Sequence, residues 1–248
     1  CPENEYCTLM SQPSKPNMNG VIVLDKPRGP TSMSMVNMIR RKCHKTKTGH
    51  AGTLDPLATG VLVLGVGKMT KQLGNMMATD KAYETVIDLS GVTAGHDEES
   101  EPEQVEIDSI PTESQVEDAV ASFKGAIAQA PPIHSAVKVG GQRAYKVART
   151  GEQVALKPRQ VMVHDISVTQ YEWPFVTIQI ECAKGFYVRS LARDLGEALG
   201  TGGYCKSIRR TAVGPFSIEN AWQLEDLPEY LSQGDLLSPE EVSQLLQE

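Results

Sequence analysis

The sequence predicts an α+β domain, a mixed and mostly antiparallel central sheet with flanking helices, interrupted by a basic insertion lobe. Three observations carry this. Some segments alternate apolar and polar residues with the strand period of two, whereas others repeat at helical spacing behind recognisable caps. The two kinds mix without regular βαβ alternation, which argues against a parallel doubly wound sheet. One stretch combines a Pro-Pro entry, a Gly-Gly turn and five Lys or Arg with few large apolar residues, as an exposed lobe does.

The elements follow in order. "GVIVLDKPRGPTS" reads as a short buried strand, a Pro/Gly turn, and Thr31 or Ser32 capping a helix whose inner face carries Met35, Val36, Met38 and Ile39. The unbroken apolar run from Val61 to Val66 fits a strand buried on both faces, and "TKQLGNMMATD" is expected to be helical. "KAYETVIDLSG" alternates, with Tyr83, Thr85, Ile87 and Leu89 on one side. Residues 95–111 form an acidic loop, and Thr112 with Gln115 makes a capping box for the next helix. "RQVMVHDISVTQ" and "PFVTIQIEC" are strands. "GFYVRSLARDLGEALG" is an amphipathic helix with Val188, Leu191, Ala192, Leu195 and Leu199 on its stripe and Gly200 as its stop. "CKSIRRTAVGPF" is a basic strand, and Ser238, Pro239 and Glu241 open a terminal helix.

Composition limits the classes of function. At 248 residues and 40% apolar, the chain buries a full core, and no apolar run approaches a membrane span. Five scattered cysteines without a C-x-x-C pair encode neither a disulfide framework nor a zinc site, and with no signal-peptide pattern they indicate the cytoplasm. The net charge of −7 hides an uneven distribution. Residues 97–118 hold ten acids and residues 219–248 hold eight, with no Lys or Arg in either stretch. The rest of the chain sets thirteen acids against all twenty-four basic residues, a balance compatible with a polyanionic partner. The basic run "RRKCHKTKTGH" leads directly into "GHAGTLDPLATG".

Asp55 in that motif has an ordinary reading, as the N-cap of a helix with Pro56 in its first position. Arg189 suggests another. It lies at the edge of the buried helical face, and its neighbours three and four residues away are Gly185, Phe186, Ala192 and Arg193, so no acid on its own helix can pair with it. Arg193, by contrast, has Glu197 four residues on. A half-buried guanidinium without a local partner calls for a distant carboxylate or a phosphate, and Asp55 is one of thirteen candidates. Tyr83 reads as a core aromatic with its hydroxyl at the edge, and His50 as a loop histidine. No second His or Cys stands at metal-ligand spacing, and neither G-x-G-x-x-G nor G-K-[ST] is present, so no metal or nucleotide cofactor is expected.

The ordered blocks "GVIVLDKPRGPTS", "GHAGTLDPLATGVLVLGVGKMTK", "KAYETVI", "APPIHSAVKVGGQRAYKVAR" and "CAKGFYVRSLARDLGEALGTGGYCKSIRRTAVGPF" resemble the motifs of the TruB family of RNA pseudouridine synthases across residues 19 to 227. The resemblance implies the pseudouridine synthase fold and a cofactor-free isomerisation of uridine-55 in the T loop of tRNA. It makes Asp55 the catalytic carboxylate, Arg189 its partner and Tyr83 the residue that stacks on the target uracil. His50 would enter the T loop where the flipped base had been. Lys26 would support the site's architecture beside the substrate, and Lys138, Arg143 and Arg149 of the lobe would contact phosphates.

The expected organisation is a disordered extension over 1–18 (1–9 lying before Met10 and set outside the fold), a catalytic domain over 19–230 with the lobe at about 129–157, and an acidic terminal helix over 231–248 with no PUA-type module. His134 departs from the family's usual Tyr. The expected partner is tRNA, with no membrane, no required protein subunit and a monomeric state. The competing readings are a tRNA-folding chaperone on the same scaffold and a guide-RNA-dependent synthase subunit.

Overall fold

The structure, a computed structural model, describes residues 18–132, 138–139, 142–143 and 156–247. The elements that build the site are strand β1 (Gly20–Lys26), helix α1 (Ser32–Lys42), strands β2 (Thr48–His50) and β3 (Thr59–Val66), helix α2 (Leu73–Met77) and strand β4 (Lys81–Asp88). The short pair β5 (Gly91–Val92) and β6 (Glu103–Gln104), helix α3 (Glu113–Ala121) and strand β7 (Gly125–Gln129) follow. Then come the antiparallel pair β8 (Lys138–Val139) and β9 (Gln142–Arg143), strands β10 (Arg159–Glu172) and β11 (Phe175–Cys182), helix α4 (Val188–Leu199), strands β12 (Tyr204–Val213) and β13 (Phe216–Ser217), and helix α5 (Pro239–Leu245).

The main sheet runs β1-β3-β12-β4-β11-β10-β7, with β2 paired to β3 and β13 to β12. Every pairing in it is antiparallel except β3 with β12. The expected mixed, mostly antiparallel sheet is thus the observed one.

Burial explains why two kinds of strand pattern were present. On β1 and β3, Ile22, Leu24, Leu62 and Leu64 pack towards α1, while Val21, Val23, Val61 and Val63 pack on the opposite side with Met76, Phe216 and Val242. Both faces are covered, so both must be apolar. On β11, Val176, Ile178, Ile180 and Cys182 face a cluster closed by α3 and α4, and the alternate residues do not. One covered face needs only every second residue apolar.

Local rules set several boundaries. Thr31 caps α1 by accepting from the Ser34 N–H. Capping boxes at Thr112 with Gln115 and at Ser238 with Glu241 open α3 and α5. Gly200, at φ 68°, ends α4.

Three expectations need correction. "TKQLGNMMATD" gives a 3-10 turn over Gly67–Lys71 and only the short α2, since Gly74 weakens a longer helix. The late helix starts at Val188 because Gly185, at φ 93°, holds the preceding residues outside helical geometry. Met18, placed in the terminal extension, is buried beside Ile22 and Val66. The acidic terminal stretch is docked: Leu237 and Val21 exchange backbone hydrogen bonds at 2.8 and 2.9 Å, and Leu231, Leu236 and Val242 are buried. Residues 1–17, most of the lobe and His134 lie outside the described residues.

The parallel contact of β3 with β12 positions the site. Gly60, at φ 100°, lies opposite Arg210 so closely that an added Cβ would stand 2.2 Å from the Arg210 carbonyl oxygen. Only glycine fits, on both conformational and steric grounds. Gly60→Ala is expected to lower unfolding free energy by about 2–4 kcal/mol. Urea denaturation reads this directly, and a variant within 0.5 kcal/mol of wild type (about the range of a neutral surface change) would contradict the close approach.

Candidate active site

No helix follows Asp55. The chain bends through residues 51–58 and enters β3 at Thr59, so the expected N-cap role is overturned. Side chains from other elements hold the bend instead. Ser32 Oγ donates to the Leu54 carbonyl at 2.9 Å and accepts from the Leu54 N–H at 2.8 Å. The Gly29 N–H donates to the Pro56 carbonyl at 2.8 Å. Lys26 is fully buried, and its ammonium donates to the carbonyls of Pro27, Pro56 and Ala58 at 2.9, 3.2 and 2.7 Å. The lysine therefore supports the loop from beneath and presents nothing to a bound nucleotide. Burial pushes it down to about 8, with Asp55 opposing that shift and Arg210 adding to it.

The loop delivers Asp55 to Arg189. Arg189 Nη2 lies 3.0 Å from Asp55 Oδ2, with the guanidinium 8% exposed and the carboxylate 43% exposed. Arg189 Nη1 reaches Asp97 Oδ2, also at 3.0 Å, and donates to the Gly95 carbonyl at 3.3 Å. Both of these carboxylates come from far along the chain. One planar fork thus spans a buried carboxylate and a half-exposed one. It sits in the first turn of α4, whose Tyr187 cap is fixed by reciprocal hydrogen bonds with the Gln129 side chain at 2.8 and 3.1 Å.

Tyr83 stands on β4, packed against the cluster under α4 and opposite Arg210 in the pairing of β4 with β12. Burial pushes the phenol up and the Arg210 charge opposes it, so Tyr83 is a neutral phenol at neutral pH. Arg210, on β12, is almost wholly buried. It donates to the carbonyls of Val61, Gly52 and Thr53 at 2.8, 3.3 and 3.5 Å, joining Tyr83 to the approach of the Asp55 loop. His50 lies at the end of β2, half-buried. Burial and then Arg210 lower its pKa, so its ring is uncharged at neutral pH. Its Nδ1 is buried with no hydrogen-bond partner among the described residues.

Asp55, Arg189, Tyr83 and Lys26 are therefore linked through shared loops and partners, with His50 near Arg210. Lys138 and Arg143 lie on the two paired strands of the lobe. Their side chains, and all of Arg149, lie outside the described residues. Among the described residues no group of three His, Cys, Asp or Glu could hold a metal ion.

Sequence reasoning missed Asp97 and Arg210. Asp97 lay inside the acidic loop, and its one local signal was of a turn, since its Oδ1 accepts from the Glu99 N–H at 3.0 Å. Arg210 stood in a basic strand whose neighbours reach the surface. Arg193 pairs with Asp194, at 2.6 Å from Nη2, and not with Glu197 as its spacing suggested.

Comparison with known proteins places these residues in context. The family model described as "TruB family pseudouridylate synthase (N terminal domain)" matches residues 40–188, and the "tRNA pseudouridylate synthase B C-terminal domain" model matches residues 189–247. Proteins named tRNA pseudouridine synthase B from Corynebacterium diphtheriae and Thermobifida fusca are 45% and 47% identical to this chain. The matches cover 85% and 84% of this chain and 73% and 74% of those proteins. A chain in the crystal structure of a Cbf5–Nop10–Gar1 complex superposes with a TM-score of 0.65 at 32% identity, covering 84% of this chain and 53% of that one.

The support given by Lys26 has a measurable pH signature. Its folded-state value lies below its ordinary one, so the unfolded chain binds this proton more tightly, and the group's cost to folding is relieved as pH rises from about 8 to 10.5. Lys26→Met is expected to lose about 1–3 kcal/mol at pH 7 by stranding buried carbonyls. The stability of wild type relative to the variant should then grow across that window. A difference that is flat from pH 7 to 10.5 would contradict the buried ammonium.

Proposed function

From membership of the TruB family of pseudouridylate synthases, to which this chain belongs, we infer that it converts uridine to pseudouridine in tRNA, at uridine-55 of the T loop. The reaction breaks the bond between N1 and C1′, turns the uracil, and joins C5 to C1′. The C5 proton is lost and N1 ends protonated, so the change is an isomerisation with no net redox step.

Asp55 manages the sugar while the base is detached. A carboxylate can do so by bonding to the anomeric carbon or by taking a sugar proton, and both routes need an oxygen held towards the ribose. The observation that carries this reading is the half-exposed Asp55 carboxylate at 3.0 Å from an otherwise buried guanidinium. Burial fixes the arginine, and the arginine fixes the direction in which the carboxylate faces solvent.

Tyr83 offers an aromatic face to the extruded uracil and a neutral hydroxyl near the path of the C5 proton. The uncharged His50 ring fills the space that the base leaves in the loop, offsetting part of an unstacking cost of a few kcal/mol. Lys138, Arg143 and Arg149 hold the phosphate backbone of the T arm, fixing position without reading sequence.

The chain acts as a monomer without guide RNA or protein subunit. The support is its 45–47% identity to proteins named as tRNA pseudouridine synthases over about three quarters of their length. The same likeness supports a cytoplasmic location, and no helix among the described residues is long and apolar enough to cross a membrane.

The test is carbodiimide primer extension on unmodified tRNA with the purified chain alone. Wild type should give the stop that marks pseudouridine at position 55. Asp55→Asn should turn over at less than about one-hundredth of the wild-type rate, because removing a reacting group costs far more than removing a contact, while tRNA affinity is kept. Turnover by Asp55→Asn near the wild-type rate, or binding by wild type without modification, would overturn the reading, and the latter would leave the chaperone role in its place.

A further inference from the structure

Three charged side chains that neither hold Asp55 nor enter the core stand together on segments that adjoin the site. Arg28 Nη2 lies 2.7 Å from Glu98 Oε2, and the Lys206 ammonium pairs with Glu98 Oε1. Each belongs to a segment anchored at the active site. Arg28 precedes Gly29, whose N–H holds the Pro56 carbonyl next to Asp55. Glu98 follows Asp97, the second carboxylate on Arg189. Lys206 follows Cys205, whose N–H donates to the His96 carbonyl at 3.0 Å.

Lys206 also interrupts a strand. Cys205 pairs with Ile87 and Ser207 with Val86, which leaves Lys206 as the extra residue of a β-bulge. Bulges re-aim side chains at the expense of one ladder position. Here the re-aimed ammonium passes 5.9 Å from the centre of the Tyr204 ring and meets Glu98. Arg28 is 54% and Lys206 36% exposed, while the carboxylate between them is only 21% exposed. The two cations thus converge on one anion from the solvent side. The Lys206 hydrogen bond, and after it Arg28, hold the Glu98 carboxyl below its ordinary range against the opposing effect of burial.

We propose that Arg28 and Lys206 form a binding subsite for an RNA backbone phosphate beside the target nucleotide, with Glu98 as the resident anion that the phosphate displaces. The inference rests on the reading of tRNA as substrate and adds to it a specific contact outside the lobe. Two cations share one carboxylate, so the cluster carries a net positive charge beside the catalytic loop. Ion pairs made by side chains as exposed as Arg28 and Lys206 contribute little stability, so exchange with a phosphate costs little. A phosphate offers more acceptor oxygens than the carboxylate it replaces, and it accepts from an arginine fork and a lysine ammonium together. In the free protein Glu98 keeps both cations aimed at one point, so their ordering is already complete when RNA arrives.

The test is tRNA affinity measured against KCl concentration for wild type, Arg28→Gln/Lys206→Gln and Glu98→Gln, with pseudouridine formation assayed on the same preparations. The double variant should bind more weakly, with a salt slope shallower by about 0.7–0.9, the value for one phosphate contact. Glu98→Gln should bind about three- to tenfold more tightly, since it removes a like charge from the path of the phosphate. If Glu98 only staples the loop, Glu98→Gln binds no better than wild type and the double variant keeps the wild-type slope, and either result overturns the proposal. Should Lys206→Gln disturb the bulge and lower the melting temperature, Arg28→Gln alone, on a turn, carries the same test. Wild-type turnover with unchanged slopes would defeat the subsite alone. Shifted slopes without turnover would defeat the proposed reaction and leave the anion subsite standing.

Discussion

Arg189 is the constraint around which the rest of the site is arranged. One guanidinium, almost wholly buried in the first turn of α4, must be satisfied on both arms of its fork. A single carboxylate would leave the cost of burying that charge poorly compensated. The fold supplies two, Asp97 from inside and Asp55 from the rim. Asp97 is as buried as the arginine and closes the inner arm, so the outer arm has a fixed direction. Asp55 inherits that direction while remaining open to solvent. A reactive carboxylate needs this combination of restraint and access, and neither an exposed pair nor a sealed one would provide it.

The supports behind the pair follow the same logic. The Asp55 loop has no helix or strand of its own, yet Ser32, Gly29 and Lys26 satisfy its backbone from β1 and the start of α1. Arg210 enters from the other side through the parallel contact of β12 with β3, and there Gly60 permits an approach no side chain would allow. Arg210 also stands opposite Tyr83 across the β4–β12 pairing, so the tyrosine and the carboxylate loop share one neighbour. The result is a site with restrained polar groups and neutral ring systems, suited to an uncharged base.

Much of this was legible in the sequence because it is local. The capping boxes at Thr112 and Ser238, the Gly200 stop, and the contrast between the continuous β3 run and the alternating β11 each follow from a few neighbouring residues. The need of Arg189 for a remote partner was also legible, because the lack of an acid three or four residues from it can be read from spacing. The identity of its inner partner was not. Asp97 is 92 residues away, in a stretch whose acidity suggested solvent, and its own turn hydrogen bond gave it a complete local explanation. Pro56 failed for the opposite reason. Its local signal for a helix start was sound, but tertiary hydrogen bonds to the Pro56 and Ala58 carbonyls hold the chain in a bend.

The central claim is that the reaction depends on one flat guanidinium bridging two carboxylates. Single-turnover pseudouridine formation by Arg189→Lys tests it most directly, because lysine keeps the positive charge and loses the fork. The expected result is a rate lower by about 10²-fold, the scale on which a misplaced reacting group slows chemistry, with tRNA affinity close to that of wild type. A rate within about threefold of wild type, where the change in barrier is well under 1 kcal/mol, would show that charge alone suffices and would contradict the account.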